Sequence, residues 1–419
     1  MRFRKRLALA SALALALTVI VWLVWHTVSP APIRLGILHS KSGAMAFAES
    51  GMVDGEMLAI EEINQAGGLL GRQIEPVVAD GKSDWPTFAA EAARLITQEK
   101  VSSIVGCWTS ASRKTVKPVI EQHNHLLLYP MAYEGLEQSP NIVYTGAAPN
   151  QQVLPALKWG IDTLGPKVFL VGSDYVWPHS VNAIIKDQLK LLGGELVGEE
   201  YIFFGSDHVD QAVAAIKASA PDVIFSSVAG DSNAPFYKAL RAAGLDAKIR
   251  PVVSFSIGEK ELAVFDALDL DGHYVAYNYF QSLDNPVNRA FVERYRARYG
   301  KDEVTNDATV AGYFSVYLWA QAVRDAGSDD VNLIRQAIRM QSFEAPEGIV
   351  SVDPSTQHTW RPVSIGRMNA DRSLKVVWSA SRPIRPIPYP SSRTPAEWDA
   401  FLAAMYAGWQ NSWSNPVEH

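Results

Sequence analysis

Ile33-Arg34-Leu35-Gly36-Ile37-Leu38, followed beyond a polar stretch by Val53, Met57, Ile60 and Ile63 at helical spacing, decides the fold. The first run is short and rich in apolar side chains, which suits a buried strand, and the second places four apolar residues on one helical face. Gly67-Gly68 ends the helix. The theme then repeats. Ile74 to Ala79 reads as a strand, and Pro86 stands near a helix start whose buried stripe is Phe88, Ala92, Leu95 and Ile96. Val101 to Gly106 and Leu126 to Tyr129 continue the strand series. Beyond Asn141 to Asn150 the alternation restarts. Val168 to Gly172 is a strand, and Val181, Ile184, Ile185, Leu189 and Leu192 form a helix face. Asp222 to Val228, Phe236 to Gly244 and the Tyr-rich His273 to Phe280 extend a second sheet, with the last segment able to cross back between lobes. Thr305 to Gly327 reads as a strong helix of the first lobe. This is an α/β pattern with two sheets. Ser379 to Arg393, rich in Pro, Ser and Arg, predicts an extended tail.

At the amino terminus Arg2, Arg4, Lys5 and Arg6 precede an apolar run from Leu7 to Trp25, the layout of an export signal. The run is long for a cleaved signal and lacks an obvious cleavage site, so residues 1–31 read as a signal peptide or a retained anchor. No Cys follows it to carry a lipid. The location expected for the body is therefore periplasmic or otherwise extracytoplasmic, with the membrane touched only through this segment. Setting the leader's four cations aside leaves 34 Lys and Arg against 44 Asp and Glu, about −10. That sign argues against nucleic acid as a partner. The single Cys107 cannot form an internal disulfide.

Ligands of open α/β sheets gather at the carboxyl ends of strands, so the loops there hold the candidate site. After Val101 to Gly106 come Cys107, Trp108, Thr109, Ser110, Ala111 and Ser112, with hydroxyls and free amides at a helix start; ordinary capping is the competing explanation. Tyr129-Pro130-Met131 and Gly172-Ser173-Asp174-Tyr175-Val176-Trp177 put aromatics at two further strand ends, where packing between lobes would also account for them. After Asp222 to Val228, Gly230-Asp231-Ser232-Asn233 offers a carboxylate able to accept from an amino group or to cap a helix. Catalytic and metal patterns are weaker. His123-Asn124-His125 lacks a spaced partner, Gly67-Gly68-Leu69-Leu70-Gly71 lacks the ending of a phosphate loop, and no cofactor or metal is expected.

Gly106 to Lys114, Tyr129-Pro130 with Tyr133-Glu134-Gly135, Ser139 to Tyr144 with Ala148 to Gln151, and Gly172 to Tyr175 together resemble the urea and short-chain-amide binding proteins of ABC transporters. These are a branch of the leucine/isoleucine/valine-binding receptors, with the periplasmic binding protein type I fold. The resemblance runs from about Ile33 to Trp378. It implies two Rossmann-like lobes with parallel-rich sheets joined by three crossover segments, a small neutral ligand in the cleft, and a transporter permease as partner. The corresponding divisions are residues 32–147 with about 281–345 as lobe 1, 148–280 with about 346–378 as lobe 2, and 379–419 as a tail. By motif position, Trp108, Ser110, Tyr129 and Met131 would meet the ligand from the first lobe. Tyr175, Trp177, Val228, Gly230 and Asp231 would meet it from the second. Trp108 stands where the amide-sensing branch resembles a Tyr, and Met131 where it resembles a Thr, while the Gly230 to Asn233 run is similar to the urea branch. Two other functions fit fewer residues: a ligand-sensing subunit for a membrane regulator, and an amide hydrolase using Cys107 or a nearby serine.

Overall fold

The computed structural model describes residues 30–418, so the reading of the leader lies outside the described residues. No helix among those described is long and apolar enough to cross a membrane. Five strands, β1 (Ile33–His39), β2 (Ile74–Asp80), β3 (Ser103–Gly106), β4 (Leu127–Tyr129) and β5 (Ile142–Tyr144), form one parallel sheet in the order β2-β1-β3-β4-β5. β1 and β3 are buried almost throughout, as strands covered by helices on both faces require.

The second sheet holds β6 (Lys167–Ser173), β7 (Glu195–Ile202), β8 (Val223–Ser227), β9 (Val252–Ser254), β10 (Tyr274–Tyr277), β14 (Ser364–Met368) and β15 (Leu374–Ser379). Its order is β15-β14-β10-β9-β8-β6-β7, parallel from β7 to β10 and antiparallel at β14 and β15. The chain is thus a two-lobe α/β structure. β5 and β7 escaped the sequence reading for different reasons. β5 has only three residues, and β7 is a polar edge strand with little apolar alternation.

Helix Ala46–Gln65 and helix Asp307–Ala326 cross closely in the first lobe. A Cβ at Gly55 would lie 2.0 Å from the Thr309 carbonyl oxygen, so only glycine lets the two backbones approach this far. β11 (Ser342–Ala345), β12 (Gly348–Val352) and β13 (Thr359–Trp360) make a small antiparallel sheet, and His358 bridges to Tyr144 of β5. Val350 and Val352 pack into the first lobe's core cluster. Burial of those valines keeps this small sheet packed against the first lobe.

The crossovers are tied together. The Asn278 side-chain amide donates to the Gln151 carbonyl at 3.0 Å and to the carbonyl of Pro362, so one residue joins all three. The chain has no helix over Ser379 to Arg393, the stretch expected to be extended, and Pro395–Gly408 then forms a helix. Thr394 and Glu397 form a capping box, and Trp398 is fully buried. That Thr-Pro-x-Glu helix start was visible in the chain just beyond the Pro-rich stretch.

Candidate functional site

Each parallel sheet has a strand flanked on both sides by neighbours leading to helices: β1 between β2 and β3, and β6 between β7 and β8. The loops leaving these strands converge between the lobes, as the geometry of open sheets dictates. They enclose a cavity with about 30 Å³ of room for the centres of water-sized spheres. One such sphere needs roughly 10–15 Å³ by the same measure, so the space suits a solute of a few heavy atoms.

Of the residues singled out from sequence, Trp108, Ser110, Met131, Tyr175, Trp177, Gly230 and Asp231 line this cavity. Tyr129 and Val228 do not. The Tyr129 hydroxyl donates to the Trp108 carbonyl at 2.6 Å, and the Val228 carbonyl accepts from Asn233 Nδ2 at 3.0 Å and from the Ser256 hydroxyl. Both stand behind the wall and hold it in place. Met45, Phe47, Asn233, Ser256, Glu261 and Phe265 line the cavity and were missed. The first four follow β1, β8 or β9 at strand ends, where the same rule could have found them; Glu261 and Phe265 are placed only by folding.

The lining is polar at specific points. Thr109 accepts from the Ser112 amide at 3.0 Å and so caps helix Ser110–Gln122, whose first turn faces the cavity. The Ser110 hydroxyl is already engaged: it donates to Glu134 and accepts from Arg113 at 3.1 Å. Trp177 Nε1 and Asn233 Oδ1 are the reverse case, buried without a hydrogen-bond partner among the described residues. A buried donor and a buried acceptor left without partners, both on residues of the lining, are costly. Two carboxyls join them. Asp231 is solvent-exposed at the rim, whereas Glu261 is buried. Burial raises the Glu261 carboxyl above its ordinary value, and partial desolvation at the rim raises Asp231 in the same direction. Glu261 Oε2 accepts the Gly258 amide at 2.9 Å. No Lys or Arg among the described residues lines the cavity.

Behind Ser110 lies a buried ion network. Arg113 reaches Glu134 at 2.8 Å and Glu137 at 3.1 Å, and its guanidinium lies 4.4 Å from the Tyr133 ring centroid. Burial pushes the Glu137 carboxyl up, but Arg113, Lys114 and Lys117 together hold it well below the usual range.

The loop carrying Met45 is anchored similarly. His39 at the end of β1 sits between Glu49 at 3.2 Å and Glu56 at 2.9 Å, and Glu49 also accepts the Ser40 amide at 2.8 Å. Burial lowers the imidazole's pKa, yet the two carboxylates outweigh it and raise it to about 10. Because the folded form holds this proton more tightly, its stabilisation is complete below about pH 6.5 and declines as pH rises toward 10. Thermal unfolding between pH 6 and 10 should show falling stability, and His39→Gln should flatten that slope; an equal slope in the variant would remove His39 as its source.

Cys107 is buried with φ +66°, and burial followed by the Glu49 charge pushes its thiol up, the opposite of an activated nucleophile. His125 gives Nε2 to the Val101 carbonyl at 2.9 Å, and no metal-binding cluster occurs among the described residues.

Two α/β lobes enclosing a solute-sized cavity at their strand ends define a solute-binding receptor. The chain belongs to the periplasmic binding protein family, matching the Periplasmic binding protein domain over residues 33–395. It is 22% identical over 303 residues to the leucine-, isoleucine-, valine-, threonine- and alanine-binding protein of Pseudomonas aeruginosa, covering 71% of this chain and 80% of that one. A solute-binding protein of an ABC transporter from Rhodopseudomonas palustris BisB5, in complex with 3,4-dihydroxybenzoic acid, superposes with TM-score 0.76 at 21% identity. It covers 84% of this chain and 97% of its own. A 113-residue stretch is 35% identical to the limonene hydroxylase of Geobacillus stearothermophilus, but spans 27% of this chain and only 21% of that protein. Family membership implies a periplasmic location.

Proposed function

We propose that this receptor captures urea or a short aliphatic amide and delivers it to an ABC transporter permease. The observation that carries the reading is a small cavity whose lining includes Trp177, Asn233 and Glu261, with Trp177 Nε1 and Asn233 Oδ1 buried and without hydrogen-bond partners among the described residues. A carbonyl oxygen would accept from Trp177 and from the amides in the first turn of helix Ser110–Gln122, where Ser110 contributes its backbone. Amino groups would donate to Asn233, to Glu261 within and to Asp231 at the rim, while Trp108, Met131 and Tyr175 supply apolar walls. The carboxylate expected to matter most thereby shifts from Asp231 to Glu261, because a charge bond shielded from water is worth more than one at the rim.

Carboxylate-bearing solutes fit less well. The cavity lining carries Asp231 and Glu261 and no cation, and the depression outside it adds Asp207, Asp266 and Asp269 against Lys238. The relatives named for amino acids or dihydroxybenzoic acid supply the competing reading, and a shared binding panel separates them. Urea has four heavy atoms, and a ceiling of about 1.5 kcal/mol per atom corresponds to a dissociation constant of roughly tens of micromolar. Calorimetry with urea, formamide, acetamide, leucine and benzoate should give heat with the amides; binding of leucine or benzoate alone would overturn the proposal. Trp177→Phe should weaken urea binding about tenfold by removing one buried donor, and Glu261→Gln, which keeps an acceptor for Gly258 but turns an amino group toward the ligand, should cost more than Asp231→Asn. Ammonia release from urea or acetamide by the pure protein would instead favour a hydrolase.

A further inference from the structure

The last segment of the chain, from Pro388 onward and mostly beyond the family match that ends at residue 395, touches both lobes. Its path begins on the first lobe, where the Pro388 carbonyl accepts the Leu136 amide at 2.7 Å. Helix Pro395–Gly408 then packs on helix Val176–Leu192 of the second lobe, with Arg393 bonded to Asp187 at 2.7 Å and Trp398 and Leu402 in that lobe's core cluster. After the helix the chain turns toward the cleft. The Trp413 carbonyl accepts the Val176 amide at 2.9 Å, Ser414 bridges to Tyr175, and Asn415 Nδ2 donates to Asp174 at 2.7 Å. The segment is therefore sewn to the loop that presents Tyr175 and Trp177 to the cavity.

It also reaches back across the cleft. Trp85 Nε1, at the start of helix Trp85–Thr97 in the first lobe, donates to Ser414 Oγ at 2.9 Å. The Trp85 ring meets Phe204 of the second lobe edge-on at 5.4 Å, and Phe204 in turn meets Tyr175 at 5.2 Å. Lys114 Nζ of the first lobe lies 5.1 Å from the Trp413 ring centroid. The contacts of Trp85 with Ser414 and Phe204, and of Lys114 with Trp413, require the lobes to be together.

We propose that residues 412–415 are a latch that holds the lobes closed and positions the Tyr175 wall, so that release of the first lobe requires Ser414 to part from Trp85 and Trp413 from Lys114. The latch depends on the two lobes and not on which solute they hold. Its test is therefore run without solute, in the full-length protein carrying spin labels at Gln98→Cys on the first lobe and Lys190→Cys on the second; both positions are exposed, and Cys107 is buried from the reagent. The labelled parent should give one short inter-label distance. Trp85→Phe and Ser414→Ala should each raise the ratio of open to closed molecules about fivefold, as loss of one hydrogen bond does, and the two together should do little more than either alone because they break the same bond. Adding Trp413→Leu should produce a separate population at longer distance. Unfolding curves identify any variant that has lost its fold, and the conservative Trp85→Phe and Ser414→Ala pair then decides the matter. If the folded variants, including the combined one, keep the parent's distance distribution, the latch is overturned. If the variants open but urea never binds, the latch stands and the amide reading alone fails.

Discussion

Arg113→Leu should lower the stability of the receptor by about 3–5 kcal/mol, the loss that follows when one side of a buried ion pair is removed. Arg113 is fully buried and is the shared partner of Glu134 and Glu137, which are themselves 0% and 4% exposed. Removing the guanidinium strands two carboxylates in an apolar setting, with Lys114 left as a partial partner at 3.3 Å from Glu137. It also frees the Ser110 hydroxyl from one of its two bonds, so the cavity wall should loosen as well. Thermal unfolding near pH 7 reads the effect. The loss should shrink at acid pH, because protonating the stranded carboxyls removes the charge that makes the variant costly; a loss independent of pH would mean that lost packing against Tyr129 and Tyr133 dominates instead.

Gly230→Val should reduce solute affinity by at least about a hundredfold while leaving most of the stability intact. Gly230 has φ +61°, and an added Cβ would lie 2.7 Å from the Ala44 carbonyl oxygen and 2.9 Å from Met45 Sδ. Ala44 and Met45 follow β1 in the first lobe and Gly230 follows β8 in the second, so the clash is between lobes and is relieved by holding them apart. A backbone oxygen cannot swing away as a side-chain tip can. The strained φ itself costs about 1–3 kcal/mol, which unfolding measures separately. Calorimetry supplies the affinity and inter-lobe distances supply the cause; loss of affinity with an unchanged closed distance would place the damage in the Asp231 loop rather than in closure.

These two residues show how unevenly the molecule is legible in its sequence. Arg113 lies within the Gly106 to Lys114 motif, but nothing local marks it as the centre of a buried ion network, since its partners are 21 and 24 residues away. Gly230 stands out by its place after a strand, whereas its contact with Ala44 spans the whole first lobe and the cleft. Among the cavity-lining residues, Trp108, Ser110, Met131, Tyr175, Trp177, Gly230 and Asp231 were legible because strand-end loops point one way in a parallel sheet. Tyr129 and Val228 followed from the same rule but are absent from the lining: the Tyr129 hydroxyl is spent on the Trp108 carbonyl, and the Val228 carbonyl holds the Asn233 side chain.

Sequence alone determined the α/β alternation, the positions of the main strands and helices, and the strand-end loops in which a site could form. Those properties are local: apolar spacing, glycine stops and capping residues act within a few positions and need no knowledge of the rest of the chain. Tertiary structure decided which carboxylate is shielded, which donor and acceptor are left without partners, and that residues 413–415 touch both lobes. Glu261, Trp177, Asn233 and Ser414 acquire their roles only when distant segments meet, since burial and unmet hydrogen bonds belong to the packed arrangement and have no counterpart in the order of residues.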